Sequence, residues 1–272
     1  MKKVSKKTIA ITGGDGFLGS NFYKKFKNKY RIIKYPYRIQ NSKKFSSWVK
    51  ENNFEIFIHF AALTRHNNKD FKKKINNINV KSSLKIIKSI EKLKSNKFTF
   101  FLFISSCHVY GYSNDKIKER KNRIPQNIYG KSKKQVEDFI IKNRKKFSFK
   151  IGIARIFNLI GKNQKKGFFI PDMHNKISKQ LEIKDVNKFR DFIHVDDTSR
   201  ALELIIKKKY SEPVNICSGK KLNLITIIKL INSKYYKKKL FLNKKKGGNI
   251  FGNNSILRKL GMKKFKNINQ IF

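Results

Sequence analysis

The sequence predicts an α/β fold in which helices cover both faces of a parallel sheet. Short apolar runs of strand length alternate with longer amphipathic runs through the first 160 residues, and such alternation is typical of βαβ units. The 272 residues are enough for one large domain, or for one domain with a smaller lobe. The apolar residues are rich in Ile and Phe and can supply a core.

Five strands and three helices are predicted in the first half of the chain. The strands are residues 7–12, 30–35, 54–62, 98–106 and 149–157, and the helices cover about 17–28, 70–94 and 127–144. The second half is less regular. It predicts a short helix within 168–177, a helix at 195–208 that begins with acidic residues, strands at 181–186, 213–216 and 238–242, and an exposed loop at 243–249.

The net charge of +49 raises the question of nucleic-acid binding, because a basic surface attracts phosphates. Only ten of the 66 basic residues are Arg, the residue favoured for bidentate phosphate and base contacts. The lysines are spread along the whole chain, and A/T-rich codons would explain the abundance of Lys, Asn, Ile and Phe together. We therefore predict no nucleic-acid partner, although the charge should attract anionic substrates at low salt.

The chain carries no sign of a membrane segment or a disulfide framework. No apolar run approaches the roughly 18 residues of a membrane-spanning helix, and the N-terminus lacks the apolar region of a signal peptide. We therefore expect a cytoplasmic protein. Cys107 and Cys217 are the only cysteines, which predicts neither disulfides nor a zinc-type cluster, and we expect no metal site.

The run ITGGDGFLGS (11–20) contains Gly13, Gly16 and Gly19 at the spacing G-x-x-G-x-x-G. The first glycine permits a tight turn, the second lets the backbone approach a pyrophosphate, and the third lets the next helix pack closely. The run follows the first strand and opens a helix, whose free N–H groups would face the phosphates. This context predicts a dinucleotide site in a Rossmann doubly wound parallel sheet.

The end of the second strand bears on the choice between NAD and NADP. NAD sites usually carry an acid there to bind the ribose hydroxyls, but residues 32–38 read IIKYPYR, with no acid. Lys34 and Arg38 could instead hold the 2′-phosphate of NADP, or both could be ordinary surface cations. We therefore expect NAD or NADP as the cofactor, with Arg38 as a candidate contact.

Tyr129 and Lys133 are the candidate proton-transfer pair. The spacing Tyr-x-x-x-Lys alone carries little information, because five of the ten tyrosines have a lysine four residues later. Position distinguishes this pair. The run ISSCHVYG (104–111) ends a buried strand near the point where doubly wound sheets bind ligands, and Tyr129 begins the next helix. Lys133 follows one turn later on the same face of that helix.

Several motifs, in this order, resemble the extended short-chain dehydrogenases/reductases of the NAD-dependent epimerase/dehydratase family, which act on nucleotide sugars. The motifs are TGGDGFLG, HFAAL (59–63), NV (79–80), SSCHVYG, YGKSK (129–133), RIFNLIG (155–161), RDFIHVDD (190–197), VNICSG (214–219) and ILRKLGM (256–262). The resemblance covers nearly the whole chain. It implies a dinucleotide-binding Rossmann domain at 1–160, which also receives later segments such as 190–217, and a smaller C-terminal substrate-binding lobe, mainly 161–272.

The resemblance also implies roles for individual residues. Tyr129 would exchange a proton with a sugar hydroxyl or ketone, Lys133 would lower its pKa and bind the nicotinamide ribose, and Ser106 would hydrogen-bond the same sugar oxygen. The implied cofactor contacts are Gly13, Gly16, Phe17, Leu18, Gly19, Ala61, Ala62 and Asn79, together with Tyr129 and Lys133. The implied substrate contacts are Ser106, His108, Asn158 and Arg190, whose guanidinium suits a nucleotide diphosphate.

Departures from the family pattern narrow the expected chemistry. Cys107 and His108 stand where sugar 4,6-dehydratases carry an Asp-Glu pair, which argues against dehydration. His108 is expected to pack or to hydrogen-bond, with a role as an acid as the alternative, and Cys217 is expected to pack. Residues 36–53 lack a strand and its loop, and the segment 161–190 is compact. A small lobe and an NADP site would favour a 4-keto-sugar reductase, whereas tightly held NAD would fit a 4-epimerase.

The expected function is therefore an NAD(P)-dependent nucleotide-sugar oxidoreductase acting at C4 of the sugar, either a 4-epimerase or a 4-keto-sugar reductase. One alternative is a catalytically inactive dinucleotide-fold binding protein, which could bind RNA through its basic surface. The joint presence of Ser106, Tyr129 and Lys133 disfavours it. Another is a reductase for a non-nucleotide substrate. The resemblance further implies a homodimer through the helices at 70–94 and 127–144, which the high charge would oppose at low salt.

Overall fold

The computed structural model describes residues 6–64, 70–93, 95, 97–245 and 247–267. The strands are β1 Thr8–Thr12, β2 Arg31–Lys34, β3 Ile56–His59, β4 Phe100–Ser106, β5 Lys150–Ile156, β6 Asn158–Ile160, β7 Phe189–Arg190, β8 Phe192–His194, β9 Pro213–Ile216 and β10 Leu222–Asn223. The α-helices are α1 Phe17–Phe26, α2 Ser42–Glu51, α3 Phe71–Ile75, α4 Ser83–Glu91, α5 Ile128–Asn143, α6 Phe169–Ser178, α7 Val195–Lys208, α8 Leu224–Tyr235 and α9 Ser255–Lys259. A π-helical segment, Asn76–Ser82, joins α3 to α4, and short 3₁₀ turns cover Cys107–Val109 and Arg144–Lys146.

The main sheet has six strands in the order β2-β1-β3-β4-β5-β9, and every neighbouring pair is parallel. The predicted Rossmann-like α/β fold is therefore confirmed. The chain order reverses between β1 and β3, so ligands should bind at the carboxyl ends of these strands. β3 separates β1 from β4, so the end of β4, where Ser106 lies, is one strand further from the glycine turn than direct pairing of β1 with β4 would place it.

Side chains of the sheet alternate between two apolar layers, as the period of a strand requires. Ile9 and Ile11 pack in the layer that holds α1 and α7, and Ala10 packs in the opposite layer with α2, α4 and α5. A third, separate cluster joins α6 and α8 and forms the core of the smaller lobe. The division of the chain at residue 160 stays a prediction. No helix in the part of the chain described here is long and apolar enough to cross a membrane.

The segment between β2 and β3 contains α2 and no strand, which confirms the expected omission and leaves β2 at the edge of the sheet. The predicted strands at 181–186 and 238–242 are wrong. Each contributes one residue to a single bridge, Ile183 with Leu242. Short apolar runs of this kind do not distinguish a strand from a loop that packs on a core.

Helix α8 was absent from the sequence-based predictions, although its buried residues Leu224, Ile227, Ile228 and Ile231 follow helical spacing. The helix predicted at about 70–94 is interrupted by the π-helical segment and ends at Glu91; residue 94 lies outside the described part. Residue 246 of the predicted loop at 243–249 also lies outside it.

Candidate active site

The glycines of the turn between β1 and α1 are required by its geometry. Gly13 has φ of 67°, and a Cβ there would lie 2.6 Å from the amide nitrogen of Ala61. A Cβ on Gly19 would collide with the Gly13 carbonyl oxygen. Among the described atoms, a Cβ on Gly16 would come within 4 Å of that oxygen alone, at 3.3 Å, so the backbone is open to a ligand here.

The first turn of α1 fits a pyrophosphate. Gly16 is its N-cap and supplies no side-chain cap, so the N–H groups of the first turn are available to an anion. Leu18 is buried in the core and can offer only its backbone. Phe17 is partly buried, with its ring centre 6.4 Å from that of Phe168. Gly16, Phe17 and Leu18 therefore place backbone donors, rather than charged side chains, at the predicted phosphate site.

The loop after β3 is held in place by Asn79, which lies in the π-helical segment. Asn79 is fully buried, its Oδ1 accepts from the Leu63 N–H at 2.7 Å, and its Nδ2 donates to the Leu63 carbonyl at 2.8 Å. Nδ2 also donates to Ser132 Oγ at 3.2 Å. The partly exposed Ala61 and Ala62 precede Leu63 in this loop. Asn79 therefore supports the predicted cofactor contacts from behind.

Ser106 and Tyr129 meet as predicted. Ser106 ends β4 and Tyr129 lies in the first turn of α5, and the Ser106 hydroxyl is near enough to the Tyr129 phenol to lower its pKa. Asn127 caps α5, because its side-chain oxygen accepts from the Gly130 N–H at 2.7 Å. A Cβ on Gly130 would collide with the His108 carbonyl oxygen, so this glycine allows the helix to approach the end of β4.

Lys133 lies beneath Tyr129 and is only 2% exposed. Its Nζ donates to the Ile104 carbonyl at 2.8 Å and lies 4.8 Å from the ring centre of Phe103. The same Nζ is 5.9 Å from the ring centre of Tyr129. The structure therefore brings together the three residues that the sequence selected, and their catalytic roles stay predictions.

Burial controls the protonation of this group. Burial raises the pKa of Tyr129, the neighbouring Cys107 raises it further, and the hydrogen bond with Ser106 lowers it. Burial lowers the pKa of Lys133 to about 7, while Glu137 acts in the opposite direction. Lys133 thus titrates near neutral pH, although an exposed lysine would stay charged. The expected lowering of the Tyr129 pKa by Lys133 stays a prediction.

Sequence reasoning missed a buried hydrogen-bonded chain beside Lys133. The ring of His59 interacts through Nδ1 with Thr12 Oγ1 at 2.6 Å and through Nε2 with Ser83 Oγ at 2.9 Å. Burial and the nearby Lys133 lower the pKa of His59 to about 3, so this ring is neutral. It links the end of β1 to the start of α4. The sequence feature that could have indicated this chain is the position of His59 in HFAAL, at the end of a predicted strand.

A second missed element is the buried ion pair between Glu137 and Arg155. Glu137 lies one turn after Lys133 on α5, and its oxygens accept from Arg155 Nε at 3.1 Å and from a terminal guanidinium nitrogen at 2.7 Å. Ser105, next to Ser106, also bonds to Glu137. The other terminal nitrogen of Arg155 donates to Tyr110 Oη at 2.6 Å. This network ties β4, β5 and α5 together next to Ser106 and Lys133.

The two residues at the dehydratase positions behave differently. Cys107 is 2% exposed, and burial raises the pKa of its thiol to about 12. Burial likewise raises the pKa of Cys217. Both thiols are therefore protonated and packed. His108 is partly exposed, its Nδ1 lies 3.2 Å from Asn127 Nδ2, and its ring centre is 6.1 Å from that of Tyr129. No cluster of three or more possible metal-binding side chains occurs among the described residues.

Two of the predicted substrate residues, Arg190 and Asn158, are hydrogen-bonded to backbone carbonyls. Arg190 donates through one terminal nitrogen to the carbonyls of Phe189, at 2.8 Å, and Gly248, at 2.6 Å. Burial lowers its pKa, and Cys107 lies within its electrostatic reach. Asn158 donates to the carbonyl of Asp191 at 2.8 Å. The backbone thus fixes both side chains. One terminal nitrogen of the Arg190 guanidinium is occupied by its hydrogen bonds to Phe189 and Gly248.

Charged side chains lie around the end of β2, next to the glycine turn. Lys34 ends β2, and its Nζ donates to Asp15 Oδ1 in the glycine turn at 2.9 Å. The Asp15 side chain is 94% exposed. Arg38 lies exposed on the following loop. The structure therefore places two of the expected cations here, and it adds a carboxylate that sequence reasoning did not consider.

Comparison with known families agrees with this geometry. A sequence model described as the NAD dependent epimerase/dehydratase family matches residues 9–217. The chain belongs to this family, as its motifs predicted. The matched span runs from β1 to the residue after β9 and therefore contains the glycine turn, Ser106, Tyr129 and Lys133.

Individual relatives include both epimerases and reductases. The chain is 30% identical to GDP-6-deoxy-D-mannose reductase of Pseudomonas aeruginosa over 57% of this chain and 54% of the relative, so this match spans about half of that enzyme. It is 24% identical to an uncharacterized UDP-glucose epimerase of Bacillus subtilis over 82% and 80%, and 26% identical to dTDP-4-dehydro-6-deoxyglucose reductase of Escherichia coli over 86% and 83%.

Solved structures share the fold at lower identity. The structure of RMD from Pseudomonas aeruginosa, complexed with NADPH, superposes with a TM-score of 0.84 at 23% identity and covers 97% of this chain and 96% of that one. UDP-glucose 4-epimerase of Thermotoga maritima, solved with UDP-glucose, gives a TM-score of 0.83 at 21% identity over 93% and 92%.

Proposed function

We propose that this protein is an NAD(P)-dependent nucleotide-sugar oxidoreductase that acts at C4 of the sugar, as a 4-epimerase or a 4-keto-sugar reductase. The observation that carries the proposal is the contact of Ser106 with Tyr129 above the buried Lys133, at the carboxyl end of the sheet that also presents the glycine turn. The named relatives include 4-epimerases and reductases of nucleotide sugars, which supports this reaction class.

The cofactor would be held mainly by backbone groups. The glycine turn and the first turn of α1 fit the pyrophosphate, Ala61 and Ala62 would line the cleft, and Lys133 would bind the nicotinamide ribose. Bound NAD or NADP would supply or accept the hydride. The protein's part is to position the sugar and to move a proton. The solved relatives include complexes with NAD and with NADPH.

Tyr129 would move that proton. Its hydroxyl would donate to or accept from the sugar oxygen at C4, and Ser106 would hydrogen-bond the same oxygen. A phenol whose pKa is raised by burial is a weak acid, so it needs a nearby cation when it must give up its proton. Lys133 is the buried side chain that would supply this positive charge. Glu137, one turn further along α5, favours the charged form of Lys133.

The substrate's diphosphate would lie on the lobe beside Arg190. The guanidinium is half-buried and anchored by the carbonyls of Phe189 and Gly248. Lys221 lies close by, with its ammonium 4.5 Å from the ring centre of Phe189 and 5.0 Å from that of Phe251. Two cations on aromatic and backbone supports suit an anion of this size. The protonated Cys107 provides no carboxylate for dehydration, which supports oxidoreduction without loss of water.

The proposal is tested by the nucleotide and the reaction together. Freshly purified protein is denatured, and any released nucleotide is identified by mass. Protein without nucleotide is then incubated with NAD(P) and UDP-glucose or UDP-arabinose, or with NAD(P)H and dTDP-4-dehydro-6-deoxyglucose. A C4 epimer formed without consumption of cofactor identifies an epimerase, and one NAD(P)H oxidised per 4-keto-sugar identifies a reductase. Failure to bind either dinucleotide would show the proposal to be wrong.

A further inference from the structure

We infer that Asp15, in the glycine turn, takes the place of the acid that is missing from the end of β2 and gives the site a preference for NAD over NADP. The inference rests on the proposed function only in that the cleft binds a dinucleotide. Sites that prefer NAD use a carboxylate at the end of the second strand to accept from the ribose 2′-hydroxyl. Here that strand ends in Lys34, which bonds to Asp15.

The position of Lys34 is set by three contacts. Its side chain crosses the glycine turn so closely that a Cβ on Gly14 would lie 2.8 Å from its Cδ. Its Nζ lies 4.4 Å from the ring centre of Tyr23 on α1 and 2.9 Å from Asp15 Oδ1. The lysine is therefore folded back onto the turn. It holds the Asp15 carboxylate at the end of β2 and is not extended toward a ligand.

Asp15 retains the capacity to bind a ribose. Its side chain is 94% exposed, and the ion pair with Lys34 occupies one carboxylate oxygen. A carboxylate accepts up to about four hydrogen bonds, so hydroxyl groups of a ribose can be added to the bond with Lys34. A 2′-phosphate at the same place would meet the negative charge of Asp15, and the cation nearest to it would already be paired.

The experiment measures equilibrium binding of NADH and NADPH to protein without nucleotide, by the change in nicotinamide fluorescence. Asp15→Asn removes the charge and keeps the shape. It is expected to weaken NADH by up to about tenfold, the size of a lost hydrogen bond to a charged group, and to tighten NADPH, so that their ratio of affinities moves toward NADPH by about tenfold or more. Asp115→Asn, which changes another exposed aspartate outside the turn, should leave the ratio unchanged.

Lys34→Gln separates this inference from the opposite one. If Lys34 serves to hold Asp15, this variant weakens NADH modestly and leaves NADPH within about twofold. A selective loss of NADPH binding in Lys34→Gln would overturn the inference and assign Lys34 to a 2′-phosphate. An unchanged ratio in Asp15→Asn would also overturn the inference. Binding of both dinucleotides with an unchanged ratio would leave the proposed function intact. Binding of neither would overturn both.

Discussion

The two ends of the proposed cofactor cleft are built in opposite ways. At the end that carries the candidate catalytic residues (the catalytic end), Ser106 and Lys133 are buried, and Lys133 is hydrogen-bonded to a backbone carbonyl of β4. At the other end, Asp15 is 94% exposed and Arg38 lies on an exposed loop. Buried groups have fixed positions and strongly shifted pKa values, whereas exposed charges are screened and change partners readily. Substitutions at the catalytic end should therefore reduce turnover strongly, whereas substitutions at the other end should easily alter the preference between NAD and NADP.

The largest effect is expected from Tyr129→Phe. The substitution keeps the ring and removes the only group of that side chain that can exchange a proton. Turnover should fall by about 10³-fold, the usual contribution of a positioned acid or base, while the affinity for NAD(P)H changes by less than about twofold. Steady-state kinetics and fluorescence titration measure the two quantities separately.

Tyr235→Phe is the matched control for that experiment. Tyr235 also precedes a lysine by four residues, but it is 50% exposed at the end of α8. Its removal should leave turnover unchanged. Equal losses in the two variants would mean that position in the fold does not distinguish the pairs. Full activity of Tyr129→Phe would show that Tyr129 does not exchange the proton, and the catalytic end would have to be assigned elsewhere.

The support of the catalytic end is tested by Arg155→Met. Arg155 is 2% exposed and bonds to the fully buried Glu137, so its removal leaves a buried carboxylate with reduced compensation. The free energy of unfolding should fall by about 3–5 kcal/mol. Arg123→Met removes the second guanidinium that reaches Glu137, but Arg123 is 19% exposed and its loss should cost under about 1 kcal/mol. Denaturant unfolding measures the free energy of unfolding of both variants. Equal losses of stability in the two would contradict the expected difference between the buried and the partly exposed arginine.

Lys133→Met should change the pH dependence of stability. Burial lowers the pKa of Lys133 from its usual 10.5 to about 7, so between these values the unfolded chain holds one more proton than the folded one. Stability should therefore rise as the pH increases from 7 to about 10, by at most a few kcal/mol. Lys133→Met should abolish that rise, whereas Lys131→Met, an exposed neighbour, should retain it. Thermal melts across this range measure the slope, and an unchanged slope in Lys133→Met would contradict it.

Tyr129 and Lys133 could be selected from the sequence because they lie one turn apart on a helix that follows a buried strand, and Ser106 was added by the resemblance to the family. The buried strand ends at Ser106, and the next helix carries Tyr129 and Lys133 one turn apart. These two elements restrict the positions that the three side chains can take. Their partners were not predictable in this way. Glu137 meets Arg155 only because α5 packs against β5, and no spacing in the sequence encodes that contact. His59 likewise required the pairing of β1 with β3.

At the end of the site with Asp15, Lys34 and Arg38, only part of the arrangement could be predicted, and the reason is physical. The glycine spacing and the absence of an acid after β2 can be read from the chain. The direction of the long Lys34 side chain is decided by the absence of a side chain at Gly14, the ring of Tyr23 and the charge of Asp15 together. The smaller lobe was the least predictable part, because its strands are two or three residues long and pair with strands that are distant in the sequence.

The smallest effect is expected from Arg38→Gln, and it sharpens the comparison most directly. Arg38 is exposed, so it should attract NADPH through screened, long-range charge. The affinity for NADPH should fall by no more than about threefold at low salt, with no loss at about 0.5 M salt, and NADH should be less affected. Lys43→Gln, the same loss of charge on an exposed position of α2, should give a similar small change. A tenfold loss of NADPH affinity that persists at high salt would make Arg38 a direct phosphate ligand. The adenosine end would then be organised as firmly as the catalytic end, and the contrast between fixed chemistry and adjustable cofactor choice would not hold for this protein.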